Sequence, residues 1–105
     1  GHDAATEPLG SFAVNPQKLY DYAFRSLHVT VTTAKRLARA HYGAEPQRSY
    51  YFGCSTGGRQ ALIFAQRFPR DFDGIVALAP VLDFSGTMVQ YAAIHQAMQR
   101  NPIPY

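Results

Sequence analysis

From Leu19 to His41 the chain places apolar or small residues at three- and four-residue intervals, through Ala23, Leu27, Val31, Ala34, Leu37 and Ala38. That interval keeps one face of a helix apolar. Asn15-Pro16 is a helix start, because an asparagine oxygen can accept from the first free N–H groups and proline at the first position lacks an N–H that would go unused. Gly43 after Tyr42 is a stop, since glycine takes the left-handed conformation that closes a last turn. The pattern predicts one long helix over residues 16–42. Val29-Thr30-Val31-Thr32-Thr33 would read as a strand by itself. The apolar interval continues on both sides of it, so the helix is kept. Residues 1–15 mix Pro, Gly, Asp and Thr without a period and read as a loop.

Beyond the short connection 44–47, which contains Pro46, the pattern changes. Residues 49–52 form an aromatic run that suits a strand covered on both faces. A helical stretch that includes residues 60–67 ends at Phe68-Pro69. Asp71-Phe72-Asp73-Gly74 makes a turn, and residues 75–79 are an almost wholly apolar strand closed by Pro80. A strand, a helix and a strand in that order imply a parallel pair with a right-handed crossover. Residues 81–86 then lead to a helix-like stretch, 88–98. There is no internal repeat and no low-complexity segment.

Between the first strand and its helix lies Gly53-Cys54-Ser55-Thr56-Gly57-Gly58-Arg59, of the form G-x-S-x-G. With a strand before it and a helix after it, this pentapeptide makes a strained turn that lifts the serine hydroxyl above the sheet. A Cβ at Gly53 or Gly57 is expected to collide with neighbouring backbone, and Gly58 lets the helix approach the strand closely. Thr56 opens the helix, so its N–H has no intrahelical acceptor. It is the candidate donor to an oxyanion, a role worth about 2.7–4 kcal/mol of barrier where one donor has been removed. Ser55 is the candidate nucleophile.

Composition narrows the classes. Apolar residues make up 47% and aromatics 13%, which is globular material with a core to bury. At 105 residues the chain is shorter than a full open sheet covered on both faces requires, and it reads as a cut through a longer sequence. The formal charge of +3 comes from spread basic residues, densest at Lys35, Arg36 and Arg39. No aromatic or glycine interleaving accompanies them, so a solvated helix face is expected and no nucleic-acid partner. No apolar run is long enough to cross a bilayer, and no membrane partner is expected. No signal peptide is read within it, and the single cysteine does not by itself report a redox compartment. His28 and His41 are expected to pack or cap within the long helix. Neither has partners at metal-ligand spacing, and no metal or cofactor is expected.

The run Gly53 to Gln60, followed by Arg67-Phe68-Pro69, Asp71-Phe72-Asp73-Gly74-Ile75-Val76 and Ala79-Pro80, resembles the tannase and feruloyl esterase family of α/β hydrolases. The similarity extends upstream to Gly1-His2 and Tyr42-Gly43, and Cys54 directly before the serine is its most specific mark. The resemblance implies an α/β fold, a doubly wound and mainly parallel sheet. Residues 1–80 would belong to the hydrolase core and residues 81–105 to an exit segment towards an inserted lid domain. It implies a serine carboxylesterase acting on a small aromatic ester, of the gallate, ferulate or other hydroxycinnamate, or phthalate type. It further implies that Cys54 is bonded to a cysteine immediately after the catalytic histidine, and hence a secreted or periplasmic protein.

A serine needs a histidine to take its proton and a carboxylate to hold that histidine. Asp83 and His95 satisfy the chain order of serine, acid and histidine. They are separated by a continuous helix rather than placed on loops after core strands, so a turn role for Asp83 and an exposed helix position for His95 are the expectation. By resemblance the acid and the base lie beyond Tyr105, and the second oxyanion donor before Gly1. His2 is read as a structural loop histidine. The chain alone is expected to be neither stably folded nor active. An acyltransferase or serine peptidase with the same elbow, or a non-catalytic binding module that retains it, stays open on the residues alone.

Overall fold

The structure, a computed structural model, describes residues 3 and 5–101. Gly1-His2 and residues 102–105 lie outside the described residues. Pro8–Val14, expected as loop, makes 3-10 turns that break at Leu9 and Gly10, where φ is 54° and 84°. Asn15 then caps as expected. Its Oδ1 accepts from the N–H groups of Gln17 and Lys18 at 3.0 and 3.1 Å, and helix α1 runs over Pro16–Tyr20.

The long helix is continuous but not uniform. Asp21–Arg25 widens to a π turn before α2 takes over at Ser26–Tyr42. The cause is local, since both the N–H and the hydroxyl of Ser26 donate to the Asp21 carbonyl, the latter at 2.8 Å. Such an i→i+5 closure inserts a residue without breaking the helix. The β-branched run inside α2 is helical, as the apolar interval requires. Thr32 helps to reconcile it by donating its hydroxyl to the His28 and Val29 carbonyls at 2.9 and 3.1 Å. Gly43 closes α2 at φ 71°, its N–H bonded to the Arg39 carbonyl.

Strand β1, Tyr50–Cys54, pairs in parallel with β2, Gly74–Leu78, in the register Tyr50↔Gly74 to Cys54↔Leu78. Helix α3, Thr56–Arg67, joins them. Both strands are displaced from expectation: β1 reaches two residues further, to Cys54, and β2 begins and ends one residue earlier. Asp73 explains the start of the pair. Its N–H donates to the Ser49 carbonyl at 2.8 Å while its Oδ2 accepts the Ser49 N–H at 2.8 Å and its Oδ1 accepts from Arg48 at 2.9 Å.

The core lies where α3 covers one face of this pair. Phe64 is fully buried, with ring centroids 4.9 Å from both Tyr51 and Phe72, and Ala61 is buried beside it on the same helix. The other face differs from the expectation of a doubly covered strand: Tyr50 and Phe52 are 72% and 69% exposed. Side chains alternate along a strand, so covering one face leaves these two outside. Helix α4, Phe84–Arg100, follows β2, and every residue from Met88 to Arg100 is exposed. None of the helices is long and apolar enough to cross a membrane among the described residues.

Candidate active site

Ser55 sits between the last residue of β1 and the first of α3 with φ 57° and ψ −113°, outside the ordinary range of an L-residue. Strain of this kind persists only where the surroundings hold it, at about 1–3 kcal/mol per residue. Three contacts hold it here. The Ser55 N–H donates to the Leu78 carbonyl at 3.1 Å, fastening the turn to the end of β2, and the Ser55 carbonyl accepts from Arg59 N–H at 3.0 Å as the first bond of α3. Third, Tyr51 on β1 donates its hydroxyl to Gln60 Oε1 on α3 at 3.0 Å. The Ser55 side chain does not cap the helix, so its hydroxyl stands clear of the N–H groups behind it.

The glycines divide unequally. A Cβ on Gly53 would run into the Gly57 carbonyl and lie 2.8 Å from Tyr51 Cε1. A Cβ on Gly58 would meet the Leu78 carbonyl oxygen and lie 2.9 Å from Pro80 Cα, so this glycine lets α3 rest on the end of β2. Gly57 departs from expectation. A Cβ there would find only Tyr51 Oη at 3.8 Å, an ordinary contact, because it is the carbonyl of Gly57 rather than its Cα that crowds the turn. Ala79 adds a second positive φ, 40°, at the end of β2 next to these contacts.

Thr56 is the first residue of α3. Its N–H lacks an intrahelical acceptor, and the partial positive charge of the helix start lies there. Cys54, the single cysteine of the sequence, is exposed. Burial of the Tyr51 ring pushes its phenol above the usual tyrosine value, so the hydroxyl stays protonated and donates across the neutral range.

Asp83 and His95 are engaged elsewhere. Asp83 is the N-cap of α4: its carboxylate accepts from Gly86 N–H at 2.9 Å, and its carbonyl accepts from the Thr87 hydroxyl at 2.7 Å. His95 is exposed on α4 with Nε2 3.0 Å from Gln99 Nε2. Among the described residues no histidine or carboxylate is bonded to Ser55. His2 falls outside them. His28 corrects its expectation. It does not stay within its helix but reaches Asp71, Nδ1 to Oδ2 2.8 Å, and stacks on Phe68 at 4.6 Å between ring centroids. His41 meets its neighbour Tyr42 edge to face, within the helix as expected. Among the described residues no group of three or more His, Cys, Asp or Glu side chains could hold a metal ion.

A cleft of about 430 Å³ opens between Phe24, His28, Arg67 and Phe68. It lies at the far end of α3 from Ser55, roughly 17 Å along the helix at 1.5 Å per residue, and is not where the elbow chemistry is. Sequence pattern does not show the contacts of Tyr51 with Gln60, Ser55 with Leu78 and His28 with Asp71, because no local period encodes them. Asp71 was visible only as a turn residue.

The family model described as tannase and feruloyl esterase matches residues 1–104. A protein of Aspergillus flavus named "Probable feruloyl esterase B-2" is 45% identical over 85 residues, which is 81% of this chain and 16% of that protein. One of Aspergillus fumigatus named "Probable feruloyl esterase B-1" is 48% identical over 73 residues, 70% of this chain and 14% of that protein. The crystal structure of an esterase from Aspergillus oryzae superposes with TM-score 0.72 at 40% identity, over 78% of this chain and 16% of the other. Feruloyl esterase B from the same organism superposes at 0.64 with 48% identity, over 68% of this chain and 14% of the other. The matched stretch of the chain therefore covers about a sixth of the length of these relatives.

Proposed function

The chain belongs to the tannase and feruloyl esterase family, and from that premise we propose that the protein hydrolyses carboxylic esters of aromatic acids through an acyl-enzyme on Ser55. The observation that carries the reading is the conformation of Ser55, φ 57° and ψ −113°, between a parallel strand and the helix it opens. Ser55 Oγ attacks the ester carbonyl carbon as a histidine takes its proton. The oxyanion forms against the Thr56 N–H, the carbonyl reforms, and the alcohol leaves with the proton returned by the histidine. Water then repeats the sequence on the acyl-serine and releases the acid.

Among gallate, hydroxycinnamate and phthalate-type esters, the names of the relatives favour feruloyl esters as the substrate class. The triad acid and base are assigned to chain outside residues 1–105. In support, Asp83 caps α4, His95 faces solvent and the relatives are about five times as long as this chain. The doubly wound sheet, the division at residue 80 and the lid beyond it belong to the same reading, as does a bridge from Cys54 to a cysteine beside the catalytic histidine, which requires export to an oxidising compartment. The decisive experiment is labelling of the whole protein with a fluorophosphonate. Wild type should be labelled and Ser55→Ala should not, with loss of ferulate-ester turnover. Labelling that survives the substitution rejects the assignment.

A further inference from the structure

The elbow has a support that the nucleophile motif does not include. Tyr51 lies four residues before Ser55 and Gln60 five after it, and the 3.0 Å bond between Tyr51 Oη and Gln60 Oε1 closes a loop across the turn from β1 to α3. The same ring fills the space beneath both flanking glycines. Its Cε1 lies 2.8 Å from where a Gly53 Cβ would stand, and its Oη 3.8 Å from where a Gly57 Cβ would stand. Phe64 and Phe72 fix the ring from the other side, at 4.9 and 5.3 Å between centroids. Side chains on a helix lean towards its N-terminus. Gln60 therefore reaches back over the first turn of α3, the turn that carries Thr56 and Gly57.

We propose that Tyr51 is a positioning residue for the reaction at Ser55: its hydroxyl, held by Gln60, sets the pitch of the first turn of α3 against β1, and with it the place of the Ser55 hydroxyl and the Thr56 N–H. The inference rests on the reading of Ser55 as nucleophile. A phenylalanine ring would fill the same volume, so packing alone does not account for the hydroxyl or for its partner. Both reacting groups, on the consecutive residues Ser55 and Thr56, lie within the turn that the bond closes. A tilt of α3 would move the oxyanion donor relative to the nucleophile while leaving substrate contacts made elsewhere unchanged.

The test uses the whole protein and two readouts, the rate at which a fluorophosphonate phosphonylates Ser55 with loss of fluoride, taken as the measure of the attack step of acylation, and steady-state turnover of methyl ferulate. Tyr51→Phe and Gln60→Leu should each slow acylation and kcat about tenfold or more, since displacement of a reacting group by ~1 Å can cost ~10²-fold. KM should stay within a factor of about two, because the lost interaction acts on the transition state and not on ground-state binding. The double variant should be no slower than either single one, as expected for two halves of one interaction. Gln60→Glu keeps the acceptor oxygen and should acylate close to wild type. Tyr51→Phe acylating at the wild-type rate overturns the proposal, as does a loss in kcat that only matches the folded fraction found by active-site titration. If Tyr51→Phe does not fold, Gln60→Leu and Gln60→Glu decide: equal rates overturn the proposal. Failure of the nucleophile reading is a separate result, labelling that persists in Ser55→Ala.

Discussion

The Nδ1 of His28 lies 2.8 Å from Oδ2 of Asp71, 43 residues away, and ties α2 to the turn that leads into β2. Lys35, two turns further along α2, donates to the Asp71 carbonyl, so both polar ends of this residue are held by the same helix. Asp71 is 8% exposed. His28→Ala would leave a buried carboxylate without that partner and remove the ring stacked on Phe68. The expected loss is about 1–3 kcal/mol, the cost of leaving one buried partner unpaired. The denaturant midpoint of the whole protein measures it, and an unchanged midpoint would show that the contact contributes nothing to stability.

The three glycines of the elbow should separate on substitution by alanine. Gly53→Ala and Gly58→Ala force a Cβ into backbone, at Gly57 and Leu78 respectively, where no flexible side chain can give way. Each should cost about 1–3 kcal/mol or prevent folding, as overpacking of a closed site does. Gly57→Ala meets only open space and Tyr51 Oη. It stands in the first turn of α3, where replacing glycine gains up to about 1 kcal/mol of helix propensity. Thermal unfolding of the three variants checks the order, and a Gly57→Ala protein as damaged as the other two would refute it.

The elbow, the existence of both strands and the ends of the first long helix and of α3 were legible because each rests on short-range signals: Asn15 and Gly43 at helix ends, Pro69 and Pro80 as stops, and glycines at fixed offsets from Ser55, whereas α4 starts at Phe84, four residues before the expected stretch, where Asp83 caps it. The π turn at Asp21–Arg25 was not, since it depends on a single hydroxyl, that of Ser26, bonding back to Asp21. Tyr50 and Phe52 stand exposed because nothing among the described residues packs on that face of β1. An aromatic run predicts that a strand can be covered on both faces, whereas covering depends on which other elements pack there. At the candidate site the serine and the helix start were readable, but the acceptor for the Ser55 N–H is Leu78, on a strand that only the parallel pairing brings alongside.

Acid should loosen the start of the sheet through Asp73. Its carboxyl is held below the usual aspartate value, first by the Ser49 N–H and then by Arg48. The folded protein therefore binds this proton less readily than the unfolded chain. The contribution is complete above the ordinary carboxylate range and is lost as pH falls through the lowered folded value. Asp73→Asn should be less stable than wild type near neutrality, and the two should converge as pH falls below the ordinary aspartate value and through the lowered folded one. Unfolding midpoints recorded from pH 7 to pH 2 show the convergence. A gap that stays constant over that range would mean that the charge plays no part.

Residues 1–105 expressed alone should not unfold cooperatively. Among the described residues the buried apolar side chains are Phe12, Ala61 and Phe64, while Tyr50, Phe52, Leu82, Val89 and Tyr91 stand more than half exposed. A two-stranded sheet covered on one face falls short of what independent stability requires. Retained helical signal without a sharp thermal transition, dye binding to exposed apolar surface and no turnover of methyl ferulate are expected. A sharp transition with turnover would instead mean that a base and an acid within residues 1–105 complete the site.

The last prediction concerns Cys54, the residue before Ser55 and the last of β1, paired in register with Leu78. Cys54 alternates onto the same face of β1 as Tyr50 and Phe52, which the described residues leave uncovered, so the sulfur is accessible there. A disulfide from this position to a cysteine beside the catalytic histidine would bring the two Cα atoms to about 4.4–6.8 Å. The histidine loop would then be fastened to the same turn that carries the nucleophile. Reduction should therefore lower kcat more than it lowers affinity for substrate, because it frees the base to move while the substrate pocket stays intact. Cys54→Ser should behave as the reduced enzyme does and should become insensitive to reductant. A peptide map of the whole protein under non-reducing conditions should show Cys54 protected from alkylation until reductant is added. Alkylation without reduction, or activity that reductant leaves unchanged, would remove both the bridge and the inference of an oxidising compartment that depends on it.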